Sequence, residues 1–100
     1  MTYRNEMTDR LFKAILSLEN IEECYAFFED ACTIKEIIDI SQRLEVARLL
    51  AEKKSYQAIS EQTGVSSATI GRVSRCLLYG SGGYKTALER TCFAGEEKKS

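Results

Sequence analysis

The chain contains no proline, and its first glycine is Gly64. Up to that point nothing breaks helical patterning, because the two residues that most often end or kink a helix are missing. Leu11, Phe12, Ile15, Leu16 and Leu18 recur at helical spacing and cover about 160° of a helical wheel, well beyond the roughly 100° stripe of a surface helix. Asn20 can cap a second, shorter helix in which Tyr25, Phe27, Phe28 and Ala31 again spread over a wide face. Thr33, with Glu36 three residues on, forms a capping box that opens a long third helix to about Glu52. Around that helix Ile34, Ile37, Ile38, Ile40, Leu44, Val46, Leu49 and Leu50 point in nearly every direction. The expected fold class is all-α. Apolar faces this wide need more cover than one small chain offers, so the expected state is an obligate homodimer.

The segment Tyr56 to Leu77, YQAISEQTGVSSATIGRVSRCL, reads as a helix-turn-helix. Ile59, Val65, Ile70 and Val73 fall where two short helices must pack on each other, and Gly64 sits where the chain needs a positive φ to turn. Ser66 and Ser67 open the second helix with N-cap chemistry, at an end whose backbone N–H groups suit a phosphate. Gly80-Ser81-Gly82-Gly83 ends that helix. The four residues read as a flexible connector and not as a phosphate-cradling loop, since no strand precedes them and no Gly-Lys-Ser/Thr follows. Tyr84 to about Phe93 forms a last short helix. The expected organisation is one helical domain over residues 1–94 and a disordered tail over 95–100.

Charge supports the same division of labour. Residues 1–52 carry 6 basic and 11 acidic side chains, a net of -5; residues 53–85 carry 5 basic and 1 acidic, a net of +4. The overall net of -1 therefore hides a basic surface centred on the helix-turn-helix, the footprint of phosphate contact on an acidic body. A hydrophobic content of 44% excludes a disordered chain. No apolar run approaches membrane-spanning length and MTYRNEMTDR lacks a signal-peptide core, so a cytoplasmic protein without a membrane partner is expected. Cysteines at 24, 32, 76 and 92 show no C-x-x-C spacing and the chain has no histidine. The expectation is free thiols, mostly packed as small hydrophobes, with no metal and no cofactor; a redox role for Cys76 is the alternative.

From Thr33 to about Leu78 the sequence resembles the Trp-repressor family, and more closely its short bacterial branch. The residues that carry the likeness are Thr33, the stretch Gln42-Arg43-Leu44 running on to Leu49-Leu50, and Ala68-Thr69-Ile70 followed after Gly71 by Arg72. The resemblance implies a six-helix chain folded as an intertwined homodimer. It also places the family's corepressor pocket, in which two arginines sandwich an indole, on Arg43 and Arg72, with pocket threonines at Thr33 and Thr69. Two positions depart from the family pattern. The glycine after the second arginine is Val73, and a serine four residues beyond that arginine is Cys76. A branched aliphatic at 73 restores ordinary helix-turn-helix packing, so the candidate ligand pocket of Thr33, Arg43, Thr69, Arg72, Val73 and Cys76 is expected to be filled by protein.

The function expected is sequence-specific binding of double-stranded DNA by a transcriptional regulator, a repressor that needs no tryptophan. A twofold dimer would read an approximately palindromic operator. Ser67, Ala68 and Gly71 point away from the Ile70/Val73 core toward base edges; Arg72 can reach a guanine, Arg75 a phosphate, and Lys53, Lys54, Gln57, Ser66 and Thr69 are further phosphate candidates. The small residues leave room for water-mediated contacts and DNA shape. With no histidine and no paired acid and base, the chain is not expected to be an enzyme. Two alternatives stay open: a repressor gated by an amino acid or related metabolite, and a helical adaptor that binds protein instead of DNA.

Overall fold

A computed structural model describes residues 3–91. They form six helices, α1 (Glu6–Leu16), α2 (Ile21–Ala31), α3 (Ile34–Ala51), α4 (Tyr56–Thr63), α5 (Ser67–Tyr79) and α6 (Gly83–Thr91), with no strand among the described residues. Residues up to Ile37 make one compact unit and residues from Ile38 on make a second.

In the first unit both helices are opened by an asparagine. Asn5 Oδ1 accepts from the Thr8 N–H at 3.0 Å while the Asn5 N–H donates to Thr8 Oγ1 at 2.8 Å, a reciprocal cap. Asn20 caps α2 as expected, accepting from the Glu23 N–H at 2.9 Å. Helix α1 ends at Leu16, so Leu18 lies beyond it. Neither helix buries a side chain within the single chain. Phe12 is 54% exposed, Leu16 83%, Ile21 71% and Tyr25 56%. Phe27 and Phe28 are half-buried, with an edge-to-face contact at 5.3 Å between ring centroids.

Helix α3 starts at the expected capping box: the Glu36 N–H donates to Thr33 Oγ1 at 3.1 Å, and the Thr33 N–H to Glu36 Oε1 at 2.8 Å. Its far end closes with the Lys54 N–H on the Leu49 carbonyl at 3.1 Å and the Lys53 N–H on the Leu50 carbonyl at 2.9 Å. This paired arrangement turns the chain through a left-handed residue that is usually glycine; here it is Lys53, with φ 67°. One turn earlier, Arg48 forms a clasp. Its Nε and Nη2 reach the two carboxylate oxygens of Glu45 at 3.0 and 2.6 Å, and its Nη1 reaches Glu52 at 2.8 Å.

The core of the second unit consists of Val46, Ala47 and Leu49 from α3, Ile59 from α4, Val65 from the turn, Ile70 and Val73 from α5 and Leu88 from α6. Leu44, Leu50, Leu77 and Tyr84 pack around it. Helix α6 begins one residue before the expected Tyr84; Phe93 and the expected tail lie outside the described residues. The expectation of buried cysteines is corrected. Cys24 on α2 and Cys76 on α5 are exposed because they face away from the packed side chains of their units, and Cys32, the residue that ends α2, is half-buried; all three are free. Cys92 lies outside the described residues.

Candidate nucleic-acid interface

The helix-turn-helix is built by four local devices. Ser55 caps α4 by accepting from the Ala58 N–H at 3.1 Å. Gly64 ends α4 in the left-handed conformation, φ 77°, and its N–H closes on the Ser60 carbonyl at 2.8 Å. Thr63 pins the turn on both sides, its hydroxyl donating to the Ile59 carbonyl at 2.7 Å and accepting from the Val65 N–H at 3.2 Å. Ser66 caps α5, accepting from the Thr69 N–H at 3.2 Å. Ile59, Ile70 and Val73, each no more than 1% exposed, then lock the two helices together.

That packing fixes which side of α5 is free. Ile70, Val73 and the half-buried Leu77 face inward, so Ser67, Ala68, Arg72 and Arg75 are exposed, and Gly71 is half-buried among them. Among the described residues neither arginine has an ion-pair partner. Ser66 spends its hydroxyl on the cap and on a 3.2 Å contact with the Thr69 hydroxyl, and the Ile70 N–H is taken by the Ser66 carbonyl. The N–H groups of Ser67 and Ala68 remain at the helix start, where the dipole favours an anion. Lys53 and Lys54 are exposed in the turn before α4; Gln57 is exposed on α4, its amide 3.4 Å from Glu61.

Five of the six candidate pocket residues belong to the second unit, and they do not all line one recess there. Arg43 and Thr69 line an open recess of about 340 Å³ together with Asp39, Gln42, Gly64, Val65 and Ser66. Val73 is 1% exposed and belongs to the core, while Arg72 and Cys76 are exposed on α5. Thr33 belongs to the first unit, where its hydroxyl is engaged with Glu36. Asp39 and Gln42 were not among the candidate pocket residues, although Gln42 stands in the stretch that carries the family likeness. The signal available for Asp39 is its spacing of four from Arg43, which puts the two on one face of α3.

Among the described residues, no helix is long and apolar enough to cross a membrane. Residues 6–92 match the model of the Trp repressor protein family. The chain is 55% identical over 87 residues to the uncharacterized protein YerC of Bacillus subtilis (strain 168), covering 87% of this chain and 84% of that one. Two solved structures share the fold. A TrpR-like protein from Eubacterium eligens ATCC 27750 superimposes with a TM-score of 0.87 at 50% identity, covering 90% of this chain and 93% of that one. A proposed Trp repressor from Staphylococcus aureus gives 0.85 at 48% identity, covering 88% of each. Family model, relative and solved structures agree with the helix-turn-helix on one conclusion: the chain belongs to the Trp repressor family, a family of DNA-binding, non-enzymatic regulators.

Proposed function

We propose that this protein is a homodimeric transcriptional repressor that binds an approximately palindromic duplex operator without tryptophan. The observation that carries the DNA-binding reading is the outward side of α5, which presents Ser67, Ala68, Gly71, Arg72 and Arg75 beside an N-terminus with N–H groups available to a phosphate. Lys53, Lys54, Gln57, Ser66 and Thr69 flank it as backbone contacts. The apolar side chains exposed on α1 and α2 support a second copy as their cover. The buried Val73 supports independence from tryptophan, because α5 is already packed on α4 without a ligand.

Selection of bound fragments from the source genome, with no ligand added, tests the reading. It should return a sequence with approximate twofold symmetry, and affinity for mixed-sequence duplex should fall steeply as salt rises, by about a thousandfold or more between 50 and 200 mM for six or more phosphate contacts. Absence of any duplex binding at low salt would leave the adaptor reading in its place. A second reading, gating by a small polar metabolite, is favoured by one observation, the recess lined by Arg43, Asp39, Gln42 and Thr69. It predicts a saturable change in operator affinity on addition of an amino acid.

A further inference from the structure

Gly71 occupies the interior of α5, where a glycine sacrifices more backbone entropy on folding than any other residue. Nothing among the described residues requires it. Its φ is not in the left-handed region, and outside the helix backbone a Cβ at this position would meet a single neighbour, Nη1 of Arg75, at 3.9 Å. That one contact is informative. It shows that the Arg75 side chain folds back along α5 toward the helix N-terminus, the direction in which long side chains on a helix point, and that its guanidinium lies over the turn that carries Gly71.

In a helix-turn-helix the base edges are met by the first turns of the recognition helix. Arg75 is the ninth residue of α5, a place from which a side chain ordinarily meets the phosphate backbone, yet its guanidinium lies one turn closer to the reading end. Any side chain larger than alanine at position 71 would occupy that path. On the DNA-binding reading proposed above, we infer that Arg75 is the residue that reads a base edge, with its fork on the O6 and N7 acceptors of a guanine, and that Gly71 is the positioning residue that clears its way. Arg72, which sequence spacing favours for the base, contacts the phosphate backbone.

A binding profile over all single-base changes in the operator tests the assignment, using Arg75→Ala, Arg75→Lys, Arg72→Ala, Gly71→Ala, Gly71→Leu and the Gly71→Leu/Arg75→Ala double variant. Arg75→Ala should erase preference at one position per half-site, a loss of roughly 5- to 150-fold in discrimination. Arg75→Lys should lose the same preference while keeping the salt slope. Gly71→Ala should keep the preference, since a methyl at 3.9 Å from the guanidinium is an ordinary contact. Gly71→Leu should lose preference at the same position as Arg75→Ala, and the double variant should be no worse than either. Arg72→Ala should weaken all sequences alike. A uniform loss from Arg75→Ala, a loss already present in Gly71→Ala, or additive losses in the double variant would each overturn the assignment while leaving DNA binding intact. A wild-type protein that binds no duplex overturns the DNA-binding reading and the assignment with it.

Discussion

Replacing Val73 with alanine removes two methyl groups from a side chain that is 1% exposed and packed among Ile59, Val65 and Ile70. At about 0.8 kcal/mol per buried carbon the transfer loss is about 1.6 kcal/mol. If the neighbours do not close in, a void of about 50 Å³ at about 24 cal/mol per Å³ adds about 1.2 kcal/mol. The expected loss is therefore about 2–3 kcal/mol. Glycine at the same place forgoes one more carbon and adds a helix-interior penalty of about 0.5–1 kcal/mol, giving a total of about 4 kcal/mol. A domain of this size holds about 5–15 kcal/mol, so both variants should remain folded at room temperature. Urea unfolding followed by helical circular dichroism, at one protein concentration for all variants, reads the difference. With a slope near 2 kcal/mol/M, Val73→Ala should lower the midpoint by about 1–1.5 M. Titration of the wild type with tryptophan by calorimetry completes the test, and no saturable heat is expected. A Val73→Ala loss below about 0.5 kcal/mol would refute the packing argument. Micromolar tryptophan binding that tightens the DNA complex would refute the independence drawn from it.

Other outcomes follow from single features. Lys53→Gly should leave the fold as stable or more so, by up to about 1 kcal/mol from relief of the left-handed lysine; it should also lower the salt dependence of DNA binding by about one per subunit, both read on the same preparation. In the α5 to α6 connection, Gly80→Ala should destabilise most, by about 1–3 kcal/mol, because its Cβ collides with the Cys76 carbonyl; Gly83→Ala, facing open space, should be neutral by thermal denaturation. The Glu45 carboxyl is held below its ordinary 4.5 first by its hydrogen bond to Arg48 and then by the charge of that guanidinium, against the opposing effect of burial. A depressed folded pKa adds stability that is complete above the ordinary value and is lost as pH falls through the lowered one. Glu45→Gln should therefore flatten the acid limb of stability against pH below about 4.5. Finally, the thermal midpoint should rise with protein concentration, as coupled folding and association require; a midpoint independent of concentration contradicts the dimer.

Much of the helical fold was legible because its signals are local. Thr33 with Glu36, Asn20, Gly64 and Ser66 each act within three or four residues, and the structure places every one in the role its chemistry implies. The cap at Asn5 was missed because its reciprocal partner is Thr8, where the familiar pattern has glutamate or glutamine. The turn at Lys53 was missed for a related reason: a left-handed residue that is not glycine leaves no mark in the sequence. The arrangement around Arg43 depended on long-range packing, which spacing along one helix does not encode. The family resemblance placed Thr33, Arg43, Thr69, Arg72, Val73 and Cys76 around one candidate pocket that Val73 was expected to fill; Val73 is buried in the core, whereas the exposure of Cys76 on α5 was not legible.

The clasp at Arg48 also governs what its neighbours can do. Glu52 is adjacent in sequence to Lys53 and Lys54, and a loose carboxylate there would compete with nucleic acid for both ammonium groups. Arg48 occupies that carboxylate at 2.8 Å with a side chain only 13% exposed, well placed to hold it against solvent. The lysines are thereby insulated from self-neutralisation by a residue that need never touch DNA. An arginine in the interior of the fold thus sets the effective charge of the turn, and its loss would be felt as a weaker hold on phosphate before it was felt as a broken helix.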